Sequence, residues 1–216
     1  MCEKNGGTWG SIQGDGSIES FVTMCYSKYE VRIIARQARL KSSSDLYHIL
    51  FRGINRQIIF EDDEDKLVFL DCLKQYKDLC GYAIHGYCLM DNHMHLLIRE
   101  GKENISTTMK RIGVRYVSWY NRKYNRCGHL FQDRFKSEAV EDDEYLLVVL
   151  RYIHHNPLKA GKVQNIAEYR YSSYSEYIDT SRIIDSSFIL EMFSTNKEQA
   201  QEDFKKFMNE KTADDD

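Results

Sequence analysis

Asp91-Asn92-His93-Met94-His95-Leu96-Leu97-Ile98 is the stretch whose reading decides the fold. It reads as a β-strand with two histidines one residue apart, and side chains in a strand alternate between faces. His93 and His95 therefore project together, while Met94, Leu96 and Ile98 point the other way into a core. Such a strand has one packed face and one face able to hold a divalent metal. Taken alone, a His-x-His pair on a half-buried strand is more often incidental than functional. The rest of the chain has to supply a third ligand, a nucleophile and a substrate.

Working outward, Tyr82 to Met90 reads as the preceding strand of a hairpin turned at Met90-Asp91-Asn92. Upstream of it a helix is predicted from Glu61. Acids crowd its first turn (Glu61 to Asp65), where the helix dipole favours them, and Phe69, Leu73, Tyr76 and Cys80 recur at helical spacing. Leu46 to Phe51 is the first strand, and Arg52-Gly53-Ile54-Asn55-Arg56-Gln57 is a basic turn suited to phosphate contacts. Arg32, Arg36, Arg39 and Lys41 precede it as a basic arm. Residues 1–30, with Gly6, Gly7, Gly10, Gly14 and Gly16, read as a flexible leader.

Downstream, Ile105, Met109, Ile112, Tyr116, Trp119 and Tyr120 mark a helix over Asn104 to Tyr124 whose other flank carries Lys110, Arg111, Arg115, Arg122 and Lys123. His129 to Val140 reads as a strand mixing aromatic and basic residues, the combination that grips single-stranded nucleic acid. A last helix opens at Asp142-Asp143-Glu144 and is predicted to close at Pro157, the only proline, with Asn156 pushed toward a non-helical conformation. Strand, helix, two strands, helix, strand, helix fits an α+β, ferredoxin-like antiparallel sheet with helices mainly on one face. The expected organisation is a leader (1–30), a catalytic domain (31–177) and a short, acidic, partly helical C-terminal extension (178–216).

With 216 residues the chain suffices for one well-cored domain with appendages. It has no apolar run near the roughly 20 residues that span a bilayer and no secretory leader pattern, and its six cysteines form no Cys-x-x-Cys pair. A cytoplasmic protein with no membrane partner is expected. The net charge of -3 conceals an asymmetry. From Lys102 to Lys136 there are nine basic and two acidic residues, and from Ile178 to Asp216 five basic and ten acidic. The first segment is a candidate polyanion-binding surface.

If His93 and His95 hold a cation, an amide oxygen such as that of Asn156 suits a third position for Mg²⁺ or Mn²⁺; zinc fits less well, since no third His or Cys stands at ligand spacing. A metal, a tyrosine and a basic groove have one economical joint use, attack of the phenol oxygen on a phosphodiester that the metal polarises. The spacing leaves two candidates for that oxygen. Tyr116, Tyr120 and Tyr124 repeat every four residues on the basic helix, but Tyr116 and Tyr120 lie in its apolar stripe. Tyr152 flanks the stripe of the last helix, with Asn156 one turn away.

Four blocks in order carry a family resemblance: Tyr47-His48 with Arg52-Gly53-Ile54-Asn55-Arg56; Met90 to Leu97; Gly128 to Ser137; and Arg151-Tyr152-Ile153-His154-His155-Asn156-Pro157 through Gly161. Over roughly residues 36–177 the chain resembles the single-tyrosine HUH transposases of small bacterial insertion sequences, close to the REP-associated tyrosine transposases. The resemblance implies a divalent-metal-assisted endonuclease and strand transferase acting on single-stranded, hairpin-forming DNA through a covalent 5′-phosphotyrosine. By position, Tyr152 is the nucleophile, and His93, His95 and Asn156 are the metal ligands. Some relatives have glutamine where Asn156 stands. Arg52, Asn55, Arg56, Arg115, Arg134 and Lys136 are the expected DNA contacts, and the resemblance allows either a monomer or a homodimer. The alternatives are a catalytically silent or domesticated DNA-binding regulator of the same fold, and a metal hydrolase using water.

Overall fold

The computed structural model describes residues 41–210. The proposed leader, the arginines Arg32, Arg36 and Arg39, and the acidic tail fall outside the described residues.

Four strands, β1 (Leu46–Arg52), β2 (Ala83–Leu89), β3 (His93–Arg99) and β4 (Lys136–Ala139), form an antiparallel sheet in the order β2-β3-β1-β4. Helix α1 (Asp63–Cys80) joins β1 to β2, and α2 (Ile105–Lys123) joins β3 to β4. This connection and order give the ferredoxin-like α+β sheet expected from the sequence. Local chemistry sets the helix starts. Asp62 accepts from the Asp65 backbone N–H at 3.1 Å while Asp65 returns a bond to that of Asp62, and Asn104 caps α2 through Thr107 N–H at 2.9 Å.

Register fixes what each face carries. In β1 and β3, Phe51 lies opposite Met94, whereas Leu50 opposes His95 and Arg52 opposes His93. The Phe51 face is covered by α1 and α2. Phe51 packs on Phe131 at 4.5 Å between ring centres, and Phe60, Phe69 and Tyr116 form a cluster with centres 5.1 to 5.5 Å apart. On the histidine face lies α3 (Asp143–Lys159), with Leu150 against β2. A Cβ on Gly86 would sit 2.5 Å from Leu150 Cδ1, so this close approach requires glycine there. Helices α4 (Tyr174–Ile178), α5 (Ser186–Leu190) and α6 (Lys197–Asn209) follow. Helix α6 packs back onto α3: Phe204 stacks on Tyr177 at 4.4 Å and meets His154 edge-on, and His155 Nε2 donates to the Met208 carbonyl at 2.7 Å. Among the described residues no helix is long and apolar enough to cross a membrane.

Two local expectations change. Of the stretch 129–140, only Lys136–Ala139 is a strand; Phe131 makes a single bridge to Gly53 and buries its ring on Phe51, which imitates strand alternation without a ladder. Pro157 lies inside the last turn of α3 rather than ending it, and Asn156 stays helical. The bias against helix before proline is overridden here by bonds that close the turn, from Ala160 N–H to the Asn156 carbonyl and from Lys162 N–H to the Pro157 carbonyl.

Candidate active site

Three elements meet at the site. Strand β3 presents His93 and His95, β1 presents His48 and Arg52 on the same face, and α3 lays Tyr152 and Asn156 over them. Tyr152 and Asn156 are one helical turn apart, so keeping Asn156 helical aims both at the strand. The Tyr152 ring stands edge-on to His95 at 5.3 Å and to His48 at 6.1 Å between ring centres. Asn156 Oδ1 lies 3.1 Å from His93 Nε2, and Asn156 Nδ2 lies 3.3 Å from His95 Nε2. Thus the two imidazoles, the amide and the phenol of the sequence reading come together, some sixty residues apart along the chain.

The proton positions follow from the neighbours. Asn92 Nδ2 donates to the Arg56 carbonyl at 3.3 Å, which leaves Asn92 Oδ1 to accept from His93 Nδ1 at 2.7 Å. A neutral His93 then carries its lone pair on Nε2, facing the Asn156 oxygen: two acceptors 3.1 Å apart. Burial pushes His93 below the ordinary histidine range, partly offset by the Asn156 oxygen, which would accept from the protonated ring, and pushes His95 well below it, helped by the proximity of His48, His93 and Arg52, beside which a second positive charge is disfavoured. Two imidazole Nε2 atoms beside one amide, His93 at its oxygen and His95 at its nitrogen, make a donor set that would suit a small divalent cation once the amide turns its oxygen inward. Among the described residues no three His, Cys, Asp or Glu side chains cluster as a ligand set.

The hairpin turn is braced from both sides. Asp91 meets Lys162, just beyond α3, at 2.6 Å and Lys66 of α1 at 3.1 Å. Burial raises the Asp91 carboxyl, but the two lysines outweigh it and hold it below the usual carboxylate range. The basic turn after β1 docks beneath this hairpin, with Gly53 N–H donating to the Asn92 carbonyl at 2.9 Å. Asn55 and Arg56 take left-handed backbone there, at φ 50 and 59. Arg52 Nε is buried with no hydrogen-bond partner, on the face that carries His93. Lys136, opposite Leu50, shares that face at the sheet edge, and exposed Arg134 lies just before it. Arg115 does not join them. It lines a groove of about 590 Å³ between α1 and α2, with Lys74, Trp119 and Arg122, on the other side of the sheet.

The rival tyrosines are placed differently. Tyr116 is fully buried and donates to the Ile59 carbonyl, Tyr120 donates to Glu61 at 3.1 Å, and Tyr124 donates to Asp65 at 2.9 Å. All three lie in the α1–α2 layer, away from the histidines. Sequence reasoning assigned no role to His48, Glu138 or Asn92. The available signal was β1 itself, where Tyr47, Ile49 and Phe51 alternate with His48 and Arg52, a polar-bearing face matching that of β3.

The sequence model of the IS200-like transposases matches residues 41–156. A relative from Haemophilus influenzae, provisionally named a REP-associated tyrosine transposase, is 26% identical over 113 residues, which cover 46% of this chain and 64% of that protein. The chain therefore matches a little under two thirds of that relative's length. Among solved structures, a REP-associated tyrosine transposase bound to a REP hairpin superposes with a TM-score of 0.58 at 15% identity, over 67% of this chain and 86% of the other. At that identity the likeness is one of fold.

Proposed function

The chain belongs to the IS200-like transposase family, and on that premise we propose that it cleaves and rejoins single-stranded DNA at hairpin-associated sites through a covalent 5′-phosphotyrosine on Tyr152. The observation that carries this reading is the convergence on one sheet face of Tyr152, Asn156, His93 and His95.

A divalent cation, Mg²⁺ or Mn²⁺, held by His93, His95 and Asn156, would polarise the scissile phosphodiester and stabilise charge on its oxygens. The chain's own groups do the rest. Helix α3 would present the Tyr152 oxygen for attack, its ring standing edge-on to His95 and His48. The phenol gives its proton to solvent as the oxygen–phosphorus bond forms; the bond to the 3′ oxygen breaks, and that oxygen takes a proton from solvent. The phosphotyrosine keeps the energy of the broken bond, so a later 3′-hydroxyl can reverse the step without an external source. Arg52, Asn55, Arg56, Arg134 and Lys136, disposed around the histidine face, are proposed to hold the strand through its phosphates. Arg115 would reach DNA only where it also crosses the helical layer.

The experiment is to incubate the chain with labelled single-stranded hairpins and Mn²⁺ and to look for an adduct that survives denaturation. Wild type should form it and Tyr152→Phe should not. Cleavage without an adduct would overturn the tyrosine mechanism, and binding without cleavage across a range of hairpins would favour the regulator.

A further inference from the structure

Two polar side chains next to the site have no part in the proposed chemistry. His48 lies in β1 and is 7% exposed; Glu138 lies in β4, opposite it in register, and is 44% exposed. His48 Nε2 is 2.9 Å from His95 Nδ1, with the rings stacked at 5.1 Å. On its other side His48 Nδ1 is 3.6 Å from Glu138 Oε2. That distance is an electrostatic contact rather than a full hydrogen bond, yet a carboxylate facing Nδ1 favours a proton there. Tyr145, at the start of α3, donates to the other oxygen of Glu138 and so steadies it.

The consequence runs inward. With its proton on Nδ1, neutral His48 offers Nε2 as an acceptor, so His95 donates from Nδ1 and carries its lone pair on Nε2, toward Asn156. Asn92 performs the same service for His93 from the opposite end of the site. Two unrelated devices therefore deliver one outcome, two Nε2 lone pairs converging on one amide. A core histidine in need of a partner would be satisfied by any backbone carbonyl. A chain of four side chains from β3, β1, β4 and α3, passing through a partly exposed carboxylate to the Tyr145 phenol, does more than satisfy a proton.

We propose that Glu138 and His48 are a positioning pair that fixes the tautomer and ring orientation of His95, so that the affinity of the site for a divalent cation depends on two residues that do not touch it. This rests on the metal reading given above, and the test separates the two.

Long-range ¹⁵N–¹H correlation spectra of the cation-free full chain report which ring nitrogen of His95 bears hydrogen, its signals being identified by their loss in His95→Gln. Wild type should show Nδ1–H, and His48→Ala should shift His95 toward Nε2–H. Titration with Mn²⁺, followed by the electron paramagnetic resonance of the free ion, should show binding weakened about tenfold or more in His48→Ala and in Glu138→Gln. His48→Gln, whose amide oxygen can accept from His95 Nδ1, should recover part of the loss. Should His48→Ala fail to fold, Glu138→Gln on the partly exposed edge strand serves in its place. An Nε2–H His95 in wild type overturns the proposal, as does an unchanged tautomer with unchanged Mn²⁺ affinity in both variants. If wild type binds no Mn²⁺, or His93→Ala binds it equally well, the metal reading fails instead, and the ring-nitrogen measurement still decides the positioning.

Discussion

Both sides of the sheet carry tyrosines, fully buried at Tyr116 and Tyr120 and half-buried at Tyr152, in different surroundings. On the α1–α2 side each phenol of the 116, 120, 124 ladder is spent on a protein acceptor: a carbonyl for Tyr116 and carboxylates for Tyr120 and Tyr124. Burial raises the pKa of all three, that of Tyr124 to about 12, so this layer resists ionisation. On the α3 side the Tyr152 ring stands against two imidazoles, and two acceptors face each other at 3.1 Å. Equal spacing in sequence thus yields a packed layer of hydrogen-bonded phenols in one case and, in the other, the cluster of imidazoles, amide and phenol proposed above as the active site.

The sharpest way to break the comparison is to exchange the two sides by mutation. Tyr152→Phe should reduce adduct formation by more than about 10³-fold while the chain still unfolds cooperatively, read from denaturing gels and urea melts. An adduct that persists in Tyr152→Phe and vanishes in Tyr120→Phe would reverse the assignment.

Acid should act through the α3 side. Burial lowers His154 to about 3 and His95 well below the ordinary value. In the unfolded chain both take up protons near pH 6.5, and in the folded chain they do so only at much lower pH. Between these limits the unfolded state holds more protons, so stability falls as pH drops below about 6.5, by about 1.4 kcal/mol per pH unit for each histidine. Urea unfolding at pH 7, 6 and 5 measures it; a flat profile would mean that these imidazoles are charged in the fold.

On the other side, Tyr116→Phe should leave the adduct unchanged and cost about 1 to 2 kcal/mol, since the Ile59 carbonyl loses its buried donor. The smallest expected effect concerns DNA. Arg52→Ala should lower the salt dependence of hairpin binding by about 0.7 to 0.9 in the log–log slope, whereas Arg115→Ala should not. An equal change for Arg115→Ala would show that the DNA runs over both sides.

Much of this was legible in the chain because it depends on local periods. Alternation put His93 and His95 on one face, and a spacing of four put Tyr152 beside Asn156. The exception at Pro157 arose because the bias against helix before proline is a preference, and the bonds closing the last turn outweighed it. What was not legible depends on register between distant strands. His48 sits in an apolar strand and reads as core, and nothing local ties it to Glu138, ninety residues on; only the pairing of β1 with β4 sets them side by side. The short β4 was overdrawn for a related reason, since Phe131 is apolar at a strand-like position but serves to plug Phe51.

The brace on α3 has a kinetic consequence. Lys162, just past its C-terminal end, is tied to Asp91 of the hairpin, and Tyr145, near its N-terminal end, to Glu138 of β4. Within one chain these ties hold tyrosine, amide and imidazoles at a fixed span. Adduct formation should then be first order in protein: on tenfold dilution at saturating DNA, the amount formed per molecule per minute should not change.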